Sequence, residues 1–288
     1  MTIRAWLELL RPPNVVTALA DVLAGFSIAG LQDAAELPWL LVATACLYGG
    51  GVVLNDVFDR HLDAVERPER PLPSGRVRVS TAAALGAGLL TGGVLSASAA
   101  GRSPAQIAAA IAVLVVVYDA WGKHQAAIGP VNMGLCRALN LLLGVSAVPA
   151  ALATAWPLAA IPLVYIGAVT GLSRGEVHGG GRRAAGMALI SLCIALLALT
   201  SVTLAVSGGS LAGLALVVVL GWRVVPPFWT AYREPSAGAV RHAVRTGVLS
   251  LVLVNAAIGA TFGGLPFGLL ILATGGAAWA LARLFAVT

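Results

Sequence analysis

Charge is what this chain has least of. Among its 288 residues, 18 are Lys or Arg and 12 are Asp or Glu, 10% in all, where a soluble domain carries about a quarter. Hydrophobic residues make up 59%, glycine adds 34 positions, and the mean hydropathy is +0.91. A water-soluble globule of this size cannot bury that much apolar surface and still present a polar outside. The same numbers exclude disorder, because too little charge is present to keep an open chain solvated. Cysteine is scarce as well. Cys46, Cys136 and Cys193 lie inside apolar runs without CxxC or Cys/His spacing, so they read as buried small hydrophobes. The net charge of +6 belongs, in so apolar a chain, to loops beside an anionic leaflet rather than to a nucleic-acid surface. What remains is a polytopic membrane protein.

Apolar runs of about 17 to 25 residues, the length of one helical crossing, number ten: roughly 14–31, 37–55, 80–100, 104–121, 127–149, 156–173, 184–207, 210–229, 241–262 and 265–286. They are too long and too continuous for barrel strands. The expected fold is an all-α bundle of about nine to ten transmembrane helices forming a single domain over 1–288. No cleavable signal peptide is visible at the N-terminus. Apart from Arg102 and Arg137, every basic residue belongs to the N-terminus, to the loops after spans 2, 4, 6 and 8 or the helix ends flanking them, or to the C-terminus. The loops after spans 1, 5, 7 and 9 contain none. The positive-inside rule then puts both termini in the cytoplasm. The polar segments 56–79, 174–183 and 230–240 share that face, and chemistry is expected there.

Three of the 12 acids, Asp56, Asp59 and Asp63, fall within eight residues, with Asn55 just before them. Their i, i+3, i+7 spacing puts them on one face if the segment is a continuous helix. Carboxylates this close repel one another unless a cation lies between them, and hard oxygen donors suit Mg²⁺ shared with substrate phosphates. Downstream, the proline-rich run from Arg67 to Arg76 holds arginines, Arg70 among them, near the acids. Guanidinium forks suit diphosphate oxygens.

Asn55 to Asp63 resembles the NDxxDxxxD signature of the UbiA superfamily of membrane-embedded prenyltransferases, and Arg70-Pro71-Leu72-Pro73-Ser74-Gly75 and Arg11-Pro12-Pro13-Asn14 are similar to other family segments. The similarity runs from about residue 8 to 262 and is nearest the bacterial 4-hydroxybenzoate-polyprenyltransferase-like branch with its EboC-like members. It implies a bundle around a central cavity and an isoprenyl diphosphate held through Mg²⁺ by Asn55, Asp56, Asp59 and Asp63. It also implies transfer of the prenyl group to a small or lipid acceptor at the cytoplasmic side of a bacterial plasma membrane. Lys123, the only lysine, stands five residues after Tyr118 and matches the diphosphate-binding lysine of the family. Asp56, Asp59, Asp63 and Lys123 are thus the expected catalytic set.

The resemblance also implies a second acidic motif after span 6. There the chain has Arg174, Glu176 and His178 with Arg182 and Arg183, so negative charge is lost and positive charge gained. Arg174, Arg182 or Arg183 is expected to meet phosphate directly; Glu176 and His178 are candidates for substrate binding, and the charge pattern speaks against a second Mg²⁺. The pattern RxxN heads span 1 at Arg11–Asn14 and recurs in span 5 at Arg137–Asn140. It suggests two related halves, about 8–121 and 127–229, followed by extra C-terminal helices over 241–286. Ionisable residues inside spans usually face a cavity, which makes Arg137 and Asn14 pocket-lining candidates. An ordinary ion pair is open to Asp119 and Lys123 at i, i+4. Two other functions stay open: a UbiA-type terpene cyclase, which captures the cation within its own substrate, and a carrier of a lipid or metabolite.

Overall fold

The computed structural model describes residues 3–31, 34–176, 179–206, 210–281 and 283–284. Among them every regular element is helical. A short surface helix, α1 (Ile3–Leu10), leads into α2 (Pro12–Ile28), α3 (Leu37–Phe58), the short α4 (Arg60–Glu66), α5 (Val79–Ala100), α6 (Arg102–Ala120) and α7 (Ile128–Val145). A one-turn α8 (Leu152–Ala155) precedes α9 (Ala160–Ser173), α10 (Arg182–Ala205), α11 (Leu211–Arg233) and α12 (Ala237–Leu281). Gly264, at φ 79 and ψ 172, breaks α12. Its arms, 237–263 and 265–281, fold back on each other, since a Cβ on Gly268 would touch Ala260 and one on Gly275 would touch Val252. With Pro12–Ile28 as a shorter apolar helix and eight longer ones, the arms of α12 bring the apolar segments of this integral membrane protein to ten. One residue departs from the expected charge pattern. Arg223, counted with the helix ends, lies ten residues inside α11, where its Nε donates to Ser250 Oγ at 3.1 Å.

Lipid leaves little hydrophobic force to bring helices together, so contact depends on small residues and polar links. In α10, Ala185, Ala188, Leu192, Ala195 and Leu199 turn inward, while Met187, Ile190, Ile194 and Leu197 are exposed. Both stripes are apolar, and alanine is found only on the inward one of these two sets. The closest approach joins α2 to α7: a Cβ on Gly25 would collide with the Leu141 carbonyl, and one on Gly144 with the Val22 carbonyl. Only glycine admits such backbone contact.

Beside this seam sits a buried polar hub. Asp21 is fully buried and Arg137 6% exposed, and Arg137 Nη1 donates to Asp21 Oδ2 at 2.8 Å. Asn140 Nδ2 donates to the same oxygen at 2.9 Å and Asn255 Nδ2 to Asp21 Oδ1 at 2.6 Å. Thr44 Oγ1 donates to Asn140 Oδ1 at 2.6 Å, and Arg137 Nη2 reaches the hydroxyls of Thr17 and Tyr48 at 3.3 Å each. The guanidinium also lies over the Tyr48 ring, 4.8 Å from its centre. Four helices, α2, α3, α7 and α12, are thereby tied at one level.

Gly25→Val or Gly144→Val is expected to push α2 and α7 apart and cost about 1–3 kcal/mol or more, read as a fall of several degrees in a thermal-shift assay in detergent. Arg137→Met alone is expected to cost about 3–5 kcal/mol, because it strands a buried carboxylate, and adding Asp21→Leu is expected to restore most of it. A double mutant no more stable than Arg137→Met would show that the pair does not act as a unit.

Candidate active site

The polar groups of the chain converge at one end of the bundle through three local breaks in helical geometry. The first is the elbow between α1 and α2. Arg11 precedes a proline, which disfavours the right-handed helical region for it, and it adopts φ 46 and ψ 65, a strained conformation for a residue with a Cβ. The turn delivers Arg11 Nη2 to Asp56 Oδ1 at 2.6 Å. Burial lowers the guanidinium from its ordinary range, and the neighbouring Asp56 opposes that shift.

The second break corrects the expectation of a single continuous acidic helix. Helix α3 ends at Phe58, Asp59 is the joint at φ −85 and ψ 2, and α4 begins at Arg60. Asp56 therefore sits at a helix end, Asp59 at a corner and Asp63 within the next short helix. Each carboxylate faces its own cation. Arg70 Nη1 reaches both oxygens of Asp63, at 2.9 and 2.8 Å, and lies 3.5 Å from Asp56 Oδ1. Lys123 Nζ lies 2.7 Å from Asp59 Oδ1.

The third break explains why Lys123 pairs with Asp59 and not with Asp119. Helix α6 stops at Ala120, Trp121 turns to φ −149 and ψ −45, and Lys123 falls in a 3₁₀ turn, Gly122–His124. An i, i+4 geometry no longer applies. Asp119 instead accepts from Asn55 Nδ2 at 2.9 Å.

Below this mouth a cavity of about 230 Å³ runs into the bundle. Leu47, Ile111, Val115 and Met133 supply its apolar wall, Asn55, Asp119 and Tyr118 its mouth, and Thr44, Arg137 and Asn140 its polar floor. Arg11 and Asn14 line it too. The segment after α9 reaches the turn that carries Lys123. Arg174 Nη1 donates to the Lys123 carbonyl at 3.2 Å, bracing the turn that holds the lysine. The Arg182 guanidinium lies over the Tyr232 ring. Glu176 has Arg67 and Arg241 as its charged neighbours, and burial raises its pKa against their pull. His178 lies outside the described residues.

Among the described residues no three His, Cys, Asp or Glu side chains converge as a protein-only metal cage would. The oxygens of Asn55, Asp56 and Asp59 beside the orphaned Asp119 Oδ2 fit a different arrangement, a hard cation with few protein ligands completed by phosphate oxygens. Sequence reasoning passed over Arg11 and Tyr48 as cavity-lining residues and Asn255 as a partner in the hub, and left Asp21 without a role. The strain-prone Arg-Pro step and the lone acid in span 1 were the available signals.

Relatives share this architecture. Among curated proteins, the chain is similar to digeranylgeranylglyceryl phosphate synthase of Methanopyrus kandleri, 38% identical over 153 residues, covering 51% of this chain and 56% of that protein. The corresponding synthase of Sulfolobus acidocaldarius is 33% identical over 145 residues, covering 50% and 53%. The chain thus spans about half the length of the curated relatives it matches. Solved structures with the same fold include a digeranylgeranylglyceryl phosphate synthase (TM-score 0.69, 20% identity, 92% of this chain and 99% of that one). An apo UbiA homologue from Aeropyrum pernix superposes with TM-score 0.70 at 14% identity over 85% and 96%. A UbiA homologue from Archaeoglobus fulgidus bound to GPP and Mg²⁺ gives 0.57 at 17% identity over 96% and 99%. Residues 16–173, which hold the Asn55–Asp63 motif, Lys123 and most of the cavity wall, match the sequence pattern of the UbiA prenyltransferase family, and the chain belongs to that family.

Proposed function

We propose that the chain transfers a prenyl group from an isoprenyl diphosphate to a small or lipid acceptor, at the cytoplasmic face of a bacterial plasma membrane with both termini on that side. The observation that carries this reading is the stacking of three cations, Arg11, Arg70 and Lys123, each set against its own carboxylate, over the mouth of an apolar-walled cavity. An amphiphile with a polyanionic head and an apolar tail matches both parts. The names of the curated relatives supply the acceptor class to try first, a lipid bearing glyceryl phosphate. The Arg11–Asn14 and Arg137–Asn140 pairs line one cavity, which supports two related halves, 8–121 and 127–229, within a single domain.

Arg11, Arg70 and Lys123 bind the diphosphate, and their charge stabilises it as it departs. Asn55, Asp56, Asp59 and Asp63 would hold Mg²⁺, which supplies Lewis-acid neutralisation of the leaving diphosphate when bound. Leu47, Ile111, Val115 and Met133 shelter the allylic cation from water until the acceptor captures it. Arg174 keeps Lys123 in place through the backbone carbonyl of the lysine. Glu176 and His178 are assigned to the acceptor side of the site.

Protein reconstituted in lipid and given isoprenyl diphosphates of several lengths with a native lipid extract is expected to release diphosphate and form a prenylated lipid, detected by mass spectrometry. Asp56→Ala or Asp59→Ala is expected to abolish product while the protein still extracts and melts as a folded species; undiminished turnover in either variant sinks the assignment. Chelation of divalent metal is expected to stop turnover and Mg²⁺ to restore it. A hydrocarbon or alcohol formed from the diphosphate alone would make the protein a cyclase, and solute flux without diphosphate release would make it a carrier.

A further inference from the structure

The Asn55–Asp63 motif and Lys123 leave one buried acid at the cavity mouth without a task. Asp119 is 3% exposed and lines the cavity beside Asn55. Its two oxygens differ. Oδ1 accepts the Asn55 Nδ2 hydrogen at 2.9 Å, whereas Oδ2 is buried and has no partner among the described residues. Leaving an acceptor unmade in a low-dielectric site is expensive, and no neighbouring side chain donates a hydrogen bond to it among the described residues. The ammonium of Lys123, within electrostatic reach of Asp119, is already set against Asp59 at 2.7 Å. Asp56 and Asp59, also within reach, are like-charged and worsen the imbalance.

The contact with Asn55 also fixes which way its amide faces. An ionised carboxylate only accepts hydrogen bonds, so with Asp119 in that form the nitrogen of Asn55 points to Asp119 and its oxygen points away. Asp119 thus selects one of the two amide orientations, a choice that only the hydrogen-bond network makes.

We propose that Asp119 belongs to the cation site as a fifth donor residue: Oδ1 positions Asn55 with its amide oxygen presented to a divalent cation, and Oδ2 offers that cation, brought in with the diphosphate, a carboxylate oxygen. The inference rests on the proposed prenyl-diphosphate reading and adds a residue from α6 to a site otherwise built from the α3–α4 corner. Outer partners that orient a ligand commonly change metal affinity about 10- to 100-fold when removed, and a direct ligand is expected to do at least as much.

The test measures metal binding, not turnover. Full-length protein in lipid nanodiscs is titrated with Mn²⁺, followed by electron paramagnetic resonance, in the presence of an unreactive geranyl thiolodiphosphate. Wild type is expected to bind Mn²⁺ with the analogue. Asp119→Asn keeps an acceptor for Asn55 but loses the charge, and is expected to weaken Mn²⁺ binding about tenfold or more. Asp119→Ala, which loses both roles, is expected to weaken it further, and Asp119→Glu to recover part of the loss. Wild-type affinity in Asp119→Asn overturns the ligand role, and wild-type affinity in Asp119→Ala overturns the positioning role too. If Asp119→Ala fails to fold, Asp119→Asn and Asp119→Glu still decide. Absence of Mn²⁺ binding by the wild type with the analogue overturns the prenyl-diphosphate reading itself, an outcome distinct from a silent Asp119 variant.

Discussion

The ion pair between Asp21 and Arg137 is the contact from which the geometry of the cavity follows. Two opposite charges held away from water lose much of their hydration, and only close contact with further hydrogen bonds compensates. Asn140 and Asn255 complete Asp21, and Thr17 and Tyr48 meet Arg137. Because these partners come from α2, α3, α7 and α12, none of the four helices can slide along its axis without leaving a buried charge exposed to hydrocarbon. A bundle held mainly by dispersion would tolerate such sliding. This one has a fixed level, and the floor of the cavity is set by it.

Above that level the site is layered by polarity. Thr44, Arg137 and Asn140 form the floor, aliphatic side chains the middle, and the carboxylate–cation pairs the mouth. The Gly25–Gly144 contact lies beside the hub, so the tightest backbone packing and the strongest electrostatic link coincide on the α2–α7 seam. The scaffold under the mouth is therefore constrained twice over, by backbone contact that admits no added methyl and by charges that admit no change of partner.

The helices were legible in the sequence because each long one is a predominantly apolar run with few charges inside it; even the return at Gly264 was marked by Gly263-Gly264-Leu265-Pro266. The acidic cluster was equally visible, as a concentration of rare residues. Their partners were not. Asp21 and Arg137 are 116 residues apart, and Asp21 and Asn255 234 apart; a lone polar residue in a span announces that it needs a partner without indicating which. The i, i+4 rule offered Lys123 to Asp119, and the break at Trp121 gave it to Asp59 instead. Arg223 was read as a helix-end charge because apolar runs show where a helix lies more sharply than where it stops; α11 continues to Arg233.

The pairing at the mouth gives the site a way to reset. Arg11, Arg70 and Lys123 are already paired with carboxylates, so a diphosphate bound as proposed would not recruit bare cations from water; it would displace carboxylates from them. The exchange weakens net affinity, since every new pairing with phosphate breaks an existing one with carboxylate. It also works in reverse. On departure of such a diphosphate, Asp56, Asp59 and Asp63 would reclaim the same cations, so the emptied mouth would not be left with bare, mutually repelling charge, and competition built into the wall would favour release.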